Sequence, residues 1–130
     1  FSTKIDSIVV LRISNGNLYV ANNIQAGPSV MAVMKFNAGS WEAVCTNDYA
    51  GNDMSFQVFN DTPYFAYSDS NVTKVIKYTG TWEPVGTGGV SDGAGYSNSL
   101  CFYNGLPYAA FVDLENGNMA TVMKFDLYLP

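Results

Sequence analysis

The residue types that most often carry chemistry are scarce in this sequence. It contains no histidine among its 130 residues, which removes Ser-His-Asp and Cys-His nucleophilic pairs and histidine general bases. Most zinc and redox-metal sites go with it, since two separated cysteines, Cys45 and Cys101, cannot supply a tetrahedral ligand set. Paired carboxylates remain, because two Asp or Glu side chains suffice for glycoside hydrolysis. The best-placed pair is Asp69 and Asp113. Both end the same strand of an internal repeat, and an Asp recurring there reads as a turn former. Calcium has two candidate clusters: the alternating oxygens of Asp113-Leu114-Glu115-Asn116-Gly117-Asn118, and Asn47-Asp48 with Asn52-Asp53. Both lack the distal bidentate Glu of an EF-hand loop and read as solvated turns. The expectation is a protein that is not an enzyme, with no catalytic residue, no cofactor and no metal.

Binding chemistry has more to work with. Trp41 and Trp82 stand at equivalent repeat positions, as do Tyr64 and Tyr108. The simpler reading makes the tryptophans core residues of their units. At the edges of pockets between units, the same four rings could form apolar platforms that stack on sugars. Lys35, Lys77 and Lys124 recur inside apolar strands, and pairing with Glu42 and Glu83 across a hairpin is expected for the first two. Cys45 and Cys101 fall on non-equivalent strands of different units, so two free, buried thiols are expected rather than a disulfide. Asn60-Asp61-Thr62 and Asn71-Val72-Thr73 are N-glycosylation sequons on expected turns.

Composition narrows the partner classes. Hydrophobic residues make up 48% and charged residues 13%, which fits a packed domain and not a disordered chain. Aromatics at 15%, with twelve Gly, point to strands and turns. Six basic residues stand against eleven acidic ones, and Arg12 is the one arginine. That balance argues against nucleic acid and anionic lipid, which need clustered cations. No apolar run approaches the roughly 20 residues that span a bilayer. No signal peptide is visible and the first residue is Phe, so the chain reads as a processed product, a fragment or a chain without its leader.

These residues are positioned by a repeat. Ser99-Leu100-Cys101-Phe102-Tyr103-Asn104-Gly105-Leu106-Pro107-Tyr108-Ala109-Ala110 aligns with Ser55-Phe56-Gln57-Val58-Phe59-Asn60-Asp61-Thr62-Pro63-Tyr64-Phe65-Ala66, and with the more diverged Val10-Leu11-Arg12-Ile13-Ser14-Asn15-Gly16-Asn17-Leu18-Tyr19-Val20-Ala21. Asn15, Asn60 and Asn104 are 45 and 44 residues apart. A second block follows each copy: Val33-Met34-Lys35-Phe36, Val75-Ile76-Lys77-Tyr78 and Val122-Met123-Lys124-Phe125. Each unit therefore reads as four strands. The first strand falls near 8–14, 54–59 and 98–103, and the second near 18–22, 63–68 and 107–112. The third falls near 30–37, 72–79 and 119–126, and the fourth near 41–45 and 82–86. Asn-Gly turns join the first two strands, and Pro63 and Pro107 open the second strand, where a missing N–H is tolerated. The Gly-rich stretch 86–95 lacks the Lys and the following helix of a phosphate cradle and reads as a connector.

Four-stranded units of about 44 residues with a recurrent Trp resemble the blades of β-propeller proteins. The resemblance spans about residues 8–125 and is to the class. Gly39-Ser40-Trp41 and Gly80-Thr81-Trp82 resemble the tail of the Asp-box of sialidase-type propellers, with Asn37 and Thr79 near the place of its Asp. A sialidase-like reaction would need an arginine cluster that Arg12 alone cannot provide. The resemblance implies an all-β fold of tandem antiparallel blades: 8–47, 52–90 and 95–130, the last lacking its fourth strand. Residues 1–7 would close a blade or be donated to another chain.

Alternation in 100–103 puts apolar residues on both faces, so both faces are expected to be buried. Three blades are fewer than the 4–8 of known propellers, which leaves apolar flanks and open strand edges. The expected function is a non-catalytic extracellular or cell-surface assembly module whose main partner is itself. Association would run through blade stacking or exchange of a strand carrying Phe1, Thr3 and Ile5. A fragment of a longer protein is the alternative origin, and a carbohydrate-binding module the alternative function.

Overall fold

The computed structural model describes residues 5–25, 29–48, 54–86 and 95–126. Phe1 and Thr3, the outer part of the expected exchange strand, lie outside that set, as do Asn52, Asp53 and most of the Gly-rich connector. The described chain is all strand and turn. The strands are β1 (Ile5–Ser14), β2 (Asn17–Gln25), β3 (Ser29–Asn37), β4 (Ser40–Asn47), β5 (Ser55–Phe59), β6 (Thr62–Asp69), β7 (Val72–Tyr78), β8 (Trp82–Pro84), β9 (Gly95–Tyr103), β10 (Leu106–Asp113) and β11 (Met119–Lys124). They form three sheets in simple up-and-down order: β1-β2-β3-β4, β5-β6-β7-β8 and β9-β10-β11.

Turn chemistry fixes these registers. Asn15-Gly16, Asn60-Asp61 and Asn104-Gly105 all sit at positive φ, as two-residue hairpin loops require. Ser14 faces Asn17 across the first loop, and Tyr103 faces Leu106 across the third. Asp61 holds φ 59° without being glycine, a strain that short polar side chains tolerate best. Pro63 and Pro107 are the second residues of β6 and β10, one place later than expected.

The chain divides into two compact units, Phe1–Ala50 with Val58–Pro63 and Gly51–Gln57 with Tyr64–Pro130. The first holds β1–β4 and the tip of the β5–β6 hairpin. One face of its sheet buries Ser14, Tyr19, Ala21, Met31 and Val33. The opposite face carries Val9, Leu11 and Ile13, which register against Asn22, Val20 and Leu18 of β2. Val20 and Asn22 are buried there, while the β1 residues are exposed.

The second unit packs β9–β11 on one face of β6–β7. Tyr64 meets Phe102 edge-on at 4.7 Å, and Leu100 is 2% exposed. Its other apolar cluster sets Phe65 between Phe56 (5.0 Å) and Trp82 (5.4 Å). Gly86 lies where a Cβ would come within 3.2 Å of the Phe125 ring, so the chain leaving β8 passes close against the end of β11.

Three expectations need correcting. Only one face of β9 is covered: Leu100 is buried, but Cys101 and Tyr103 on the other face are exposed. The cysteines are free as expected, yet Cys45 is half-buried and Cys101 is exposed. Lys35 and Lys77 do face Glu42 and Glu83 across their hairpins, but the carboxylates bond locally. Glu42 accepts from Asn37 (3.1 Å) and Glu83 from Thr79 (2.8 Å). The Lys35 ammonium lies 5.7 Å from the Tyr19 ring centroid.

Candidate functional site

Hydrogen bonds in the first unit converge on one exposed carboxylate. The β5–β6 turn presents Asp61 to the β1–β2 hairpin. Asn15 donates to its Oδ2 at 3.0 Å, and Asn17 and the Tyr19 hydroxyl donate to its Oδ1 at 3.0 and 2.9 Å. The Asp61 amide in turn donates to Ser14 Oγ at 3.0 Å. Bonds from Asn15, Asn17 and Tyr19 hold the Asp61 carboxyl below the ordinary carboxylate range. Burial of the ring, with Asp61 beside its hydroxyl, pushes Tyr19 up to about 12. A carboxylate engaged by three donors is a poor general base. The cluster works as a clip between two hairpins. Sequence reading missed it because Asp61 looked like half of a turn and part of a sequon.

Asp69 and Asp113, the expected carboxylate pair, are also locally engaged. Asp69 accepts from Lys74 at 2.7 Å and from Ser70 at 3.3 Å, and the lysine holds it below its usual range. Asp113 accepts from the Glu115 amide at 3.1 Å, within a tight turn. Among the described residues no cluster of three or more His, Cys, Asp or Glu could hold a metal ion.

The three expected platform residues of the second unit, Tyr64, Trp82 and Tyr108, do not share one face. Tyr64 is buried against Phe102. Tyr64 and Phe65 project from opposite faces of β6, and Trp82 packs on Phe65, so Tyr64 and Trp82 lie on opposite faces of their sheet. Trp82 also meets Tyr78 at 5.3 Å. Tyr108 is half-buried and meets Tyr103 at 6.2 Å. Trp41, in the first unit, is half-buried with Phe36 edge-on at 5.3 Å. Asn60 and Asn71 are exposed at turn tips. Ile5 begins β1 and pairs with Ile24.

The largest chemical feature is apolar surface. On sheet β1–β4, Val9, Leu11 and Ile13 are 58%, 54% and 73% exposed on one face of an edge strand. Beside them, Asn22 buries its Oδ1 with no hydrogen-bond partner. On sheet β9–β11 one whole face is open: Tyr103 is 65% and Val122 66% exposed, with Cys101 and Ala120 also exposed around the half-buried Tyr108 and Val112. Residues of this kind on one strand face normally cover a core.

No protein-family model matches the sequence, and no curated protein aligns with it significantly.

Proposed function

We propose that this chain is a non-catalytic, extracellular assembly module, built from tandem propeller-like blades of about 44 residues that associate with other copies by sheet stacking. One observation carries the reading: the open apolar face of sheet β9–β11, around Tyr103 and Val122. Contiguous exposed apolar surface on a sheet marks an interaction site. The stripe Val9-Leu11-Ile13 supplies a second such surface. Simple up-and-down order within each sheet and Asn-led turns at Asn15, Asn60 and Asn104 support the blade assignment. Placement of Asn60 and Asn71 on exposed tips is compatible with a secreted, glycan-bearing chain. Light scattering with negative-stain imaging tests the function. A defined oligomer or filament is expected, and a monomer at every accessible concentration overturns the reading.

A carbohydrate-binding role is favoured by one local feature. Phe36 is exposed beside the half-buried Trp41 on one face of the β3–β4 hairpin, with the Asn37 amide and Glu42 carboxylate bonded to each other on the opposite face. A partly exposed aromatic pair suits stacking on the apolar face of a sugar ring. Saturable binding on a glycan array that Trp41→Ala abolishes is expected under this reading, and silence across the array removes it.

A further inference from the structure

Resting on the assembly reading, we infer that the interface is heterologous: the Val9-Leu11-Ile13 stripe of one copy seats on the open β9–β11 face of a second copy. The template for this junction lies inside the second unit. There, β9 presents Asn98, Leu100 and Phe102 to sheet β5–β8. Leu100 donates its amide to Ser55 Oγ at 2.9 Å and accepts from Gln57 at 3.0 Å. Phe102 meets Tyr64. Asn98 donates to Ser68 Oγ and accepts from Thr73, both at 2.8 Å.

Counting back from the turns at Asn104 and Asn15, Asn98, Leu100 and Phe102 correspond to Val9, Leu11 and Ile13. The stripe on β1 is thus the counterpart of the strand face that β9 buries, with its three side chains exposed while Val20 and Asn22 beside them are buried. Counting from Asn60 and Asn104, Ser55, Gln57, Tyr64 and Ser68 correspond to Ser99, Cys101, Tyr108 and Val112. Thr73, two residues before Val75, corresponds to Ala120, two before Val122. All five of these latter residues lie on the open face of β9–β11.

The two uncovered surfaces agree with each other in chemistry. In the template, the trio Ser68, Asn98 and Thr73 is polar and internally hydrogen-bonded. In the proposed junction the corresponding trio is Val112, Val9 and Ala120, all apolar. Either set satisfies itself; a mixture would bury an amide without partners. Ser99 retains the hydroxyl that would accept from the Leu11 amide, and Tyr108 retains the ring that would cover Ile13. Two copies of the stripe meeting each other, or two copies of the open face, have no such template. The junction would also cover the exposed Cys101.

Two variants separate the outcomes. Leu11→Asp with Ile13→Asp blocks the stripe, and Tyr103→Asp with Val122→Asp blocks the open face. All four residues are exposed, so the fold is retained, and this is checked by circular dichroism and melting. Each variant alone is expected to be monomeric, with association weakened on the order of 100-fold. An equimolar mixture is expected to regain a dimer, because one stripe and one open face remain intact. If either variant alone assembles as the parent does, this interface is wrong while the assembly reading stands. If the parent itself is monomeric, both fall. A second pair tests the junction's chemistry without added charge. Val9→Asn alone is expected to weaken association, and adding Val112→Ser and Ala120→Thr to restore it. No restoration overturns the proposed register.

Discussion

Tyr19 and Tyr64 occupy the same place in two hairpins, four residues after the Asn that opens each turn, and are 2% and 5% exposed. They are held differently. Tyr19 fixes its hydroxyl on the Asp61 carboxylate. Tyr64 presents its ring to Phe102. The cause is one residue: Asp61 stands where the other two turns carry Gly16 and Gly105. A turn position that must accept positive φ allows Gly, Asn or Asp. Among these, Asp adds a charge that can reach a neighbouring hairpin. The first unit is therefore clipped by exposed electrostatics, and the second is held by buried rings and a neutral polar trio.

The largest break in that comparison comes from the second unit's rings. Phe65 is fully buried between Phe56 and Trp82. Phe65→Ala is expected to cost about 3–5 kcal/mol, since the flanking rings cannot collapse into the space. Urea unfolding reads it, and a cost below about 1 kcal/mol would deny Phe65 its place in the core. Next comes the polar trio. Thr73 is fully buried and donates to Asn98. Thr73→Val keeps the shape and removes that donor from a half-buried amide oxygen, an expected loss of about 1 kcal/mol. A neutral result in thermal melting would mean that Asn98 is satisfied without it.

A smaller effect is read in thiol chemistry. Burial pushes Cys45 up to about 12, whereas Cys101 is exposed. A maleimide at neutral pH is expected to label Cys101 in the folded monomer and Cys45 only on unfolding. Equal rates at both would contradict the half-buried position of Cys45.

Much of the fold was legible because turns and alternation are local. The Asn-led turns at Asn15, Asn60 and Asn104 marked the hairpins, and the strands fell within a few residues of their expected bounds. The three sheets follow from that pattern. Which sheet face finds cover is set by tertiary packing, so Cys101 and Tyr103 were misjudged: alternation says two faces are apolar but not that both are covered. The Asp61 clip was invisible for a related reason. Asn15, Asn17 and Tyr19 lie more than forty residues from it, and none belongs to a pattern that names a carboxylate partner. The lysine-glutamate pairs failed at the last step. Register put them opposite, but a nearer Asn or Thr took each carboxylate.

The mildest perturbation is also the one that most cleanly separates the two units. Asp61 titrates below the ordinary carboxylate range of about 4 because Asn15, Asn17 and Tyr19 donate to its charged form. Its stabilising contribution is present above that ordinary range and lost as pH falls through the lowered folded value. Tyr19 runs the opposite way: its folded value of about 12 exceeds the usual 10.0, so its contribution is full below pH 10 and lost as pH rises toward 12. Asp61→Asn removes the acid-side loss at this site. It also removes the charge that helps to raise Tyr19, leaving burial and a hydrogen bond to a neutral amide oxygen, so phenolate formation should begin at lower pH. The second unit keeps its own acid-sensitive pair, Asp69 with Lys74, so acid melting of the variant flattens without vanishing. Melting curves across acidic pH, with phenolate absorbance across basic pH, measure both ends. An unchanged Tyr19 titration in Asp61→Asn would show that the hydroxyl is not bound to that carboxylate in solution.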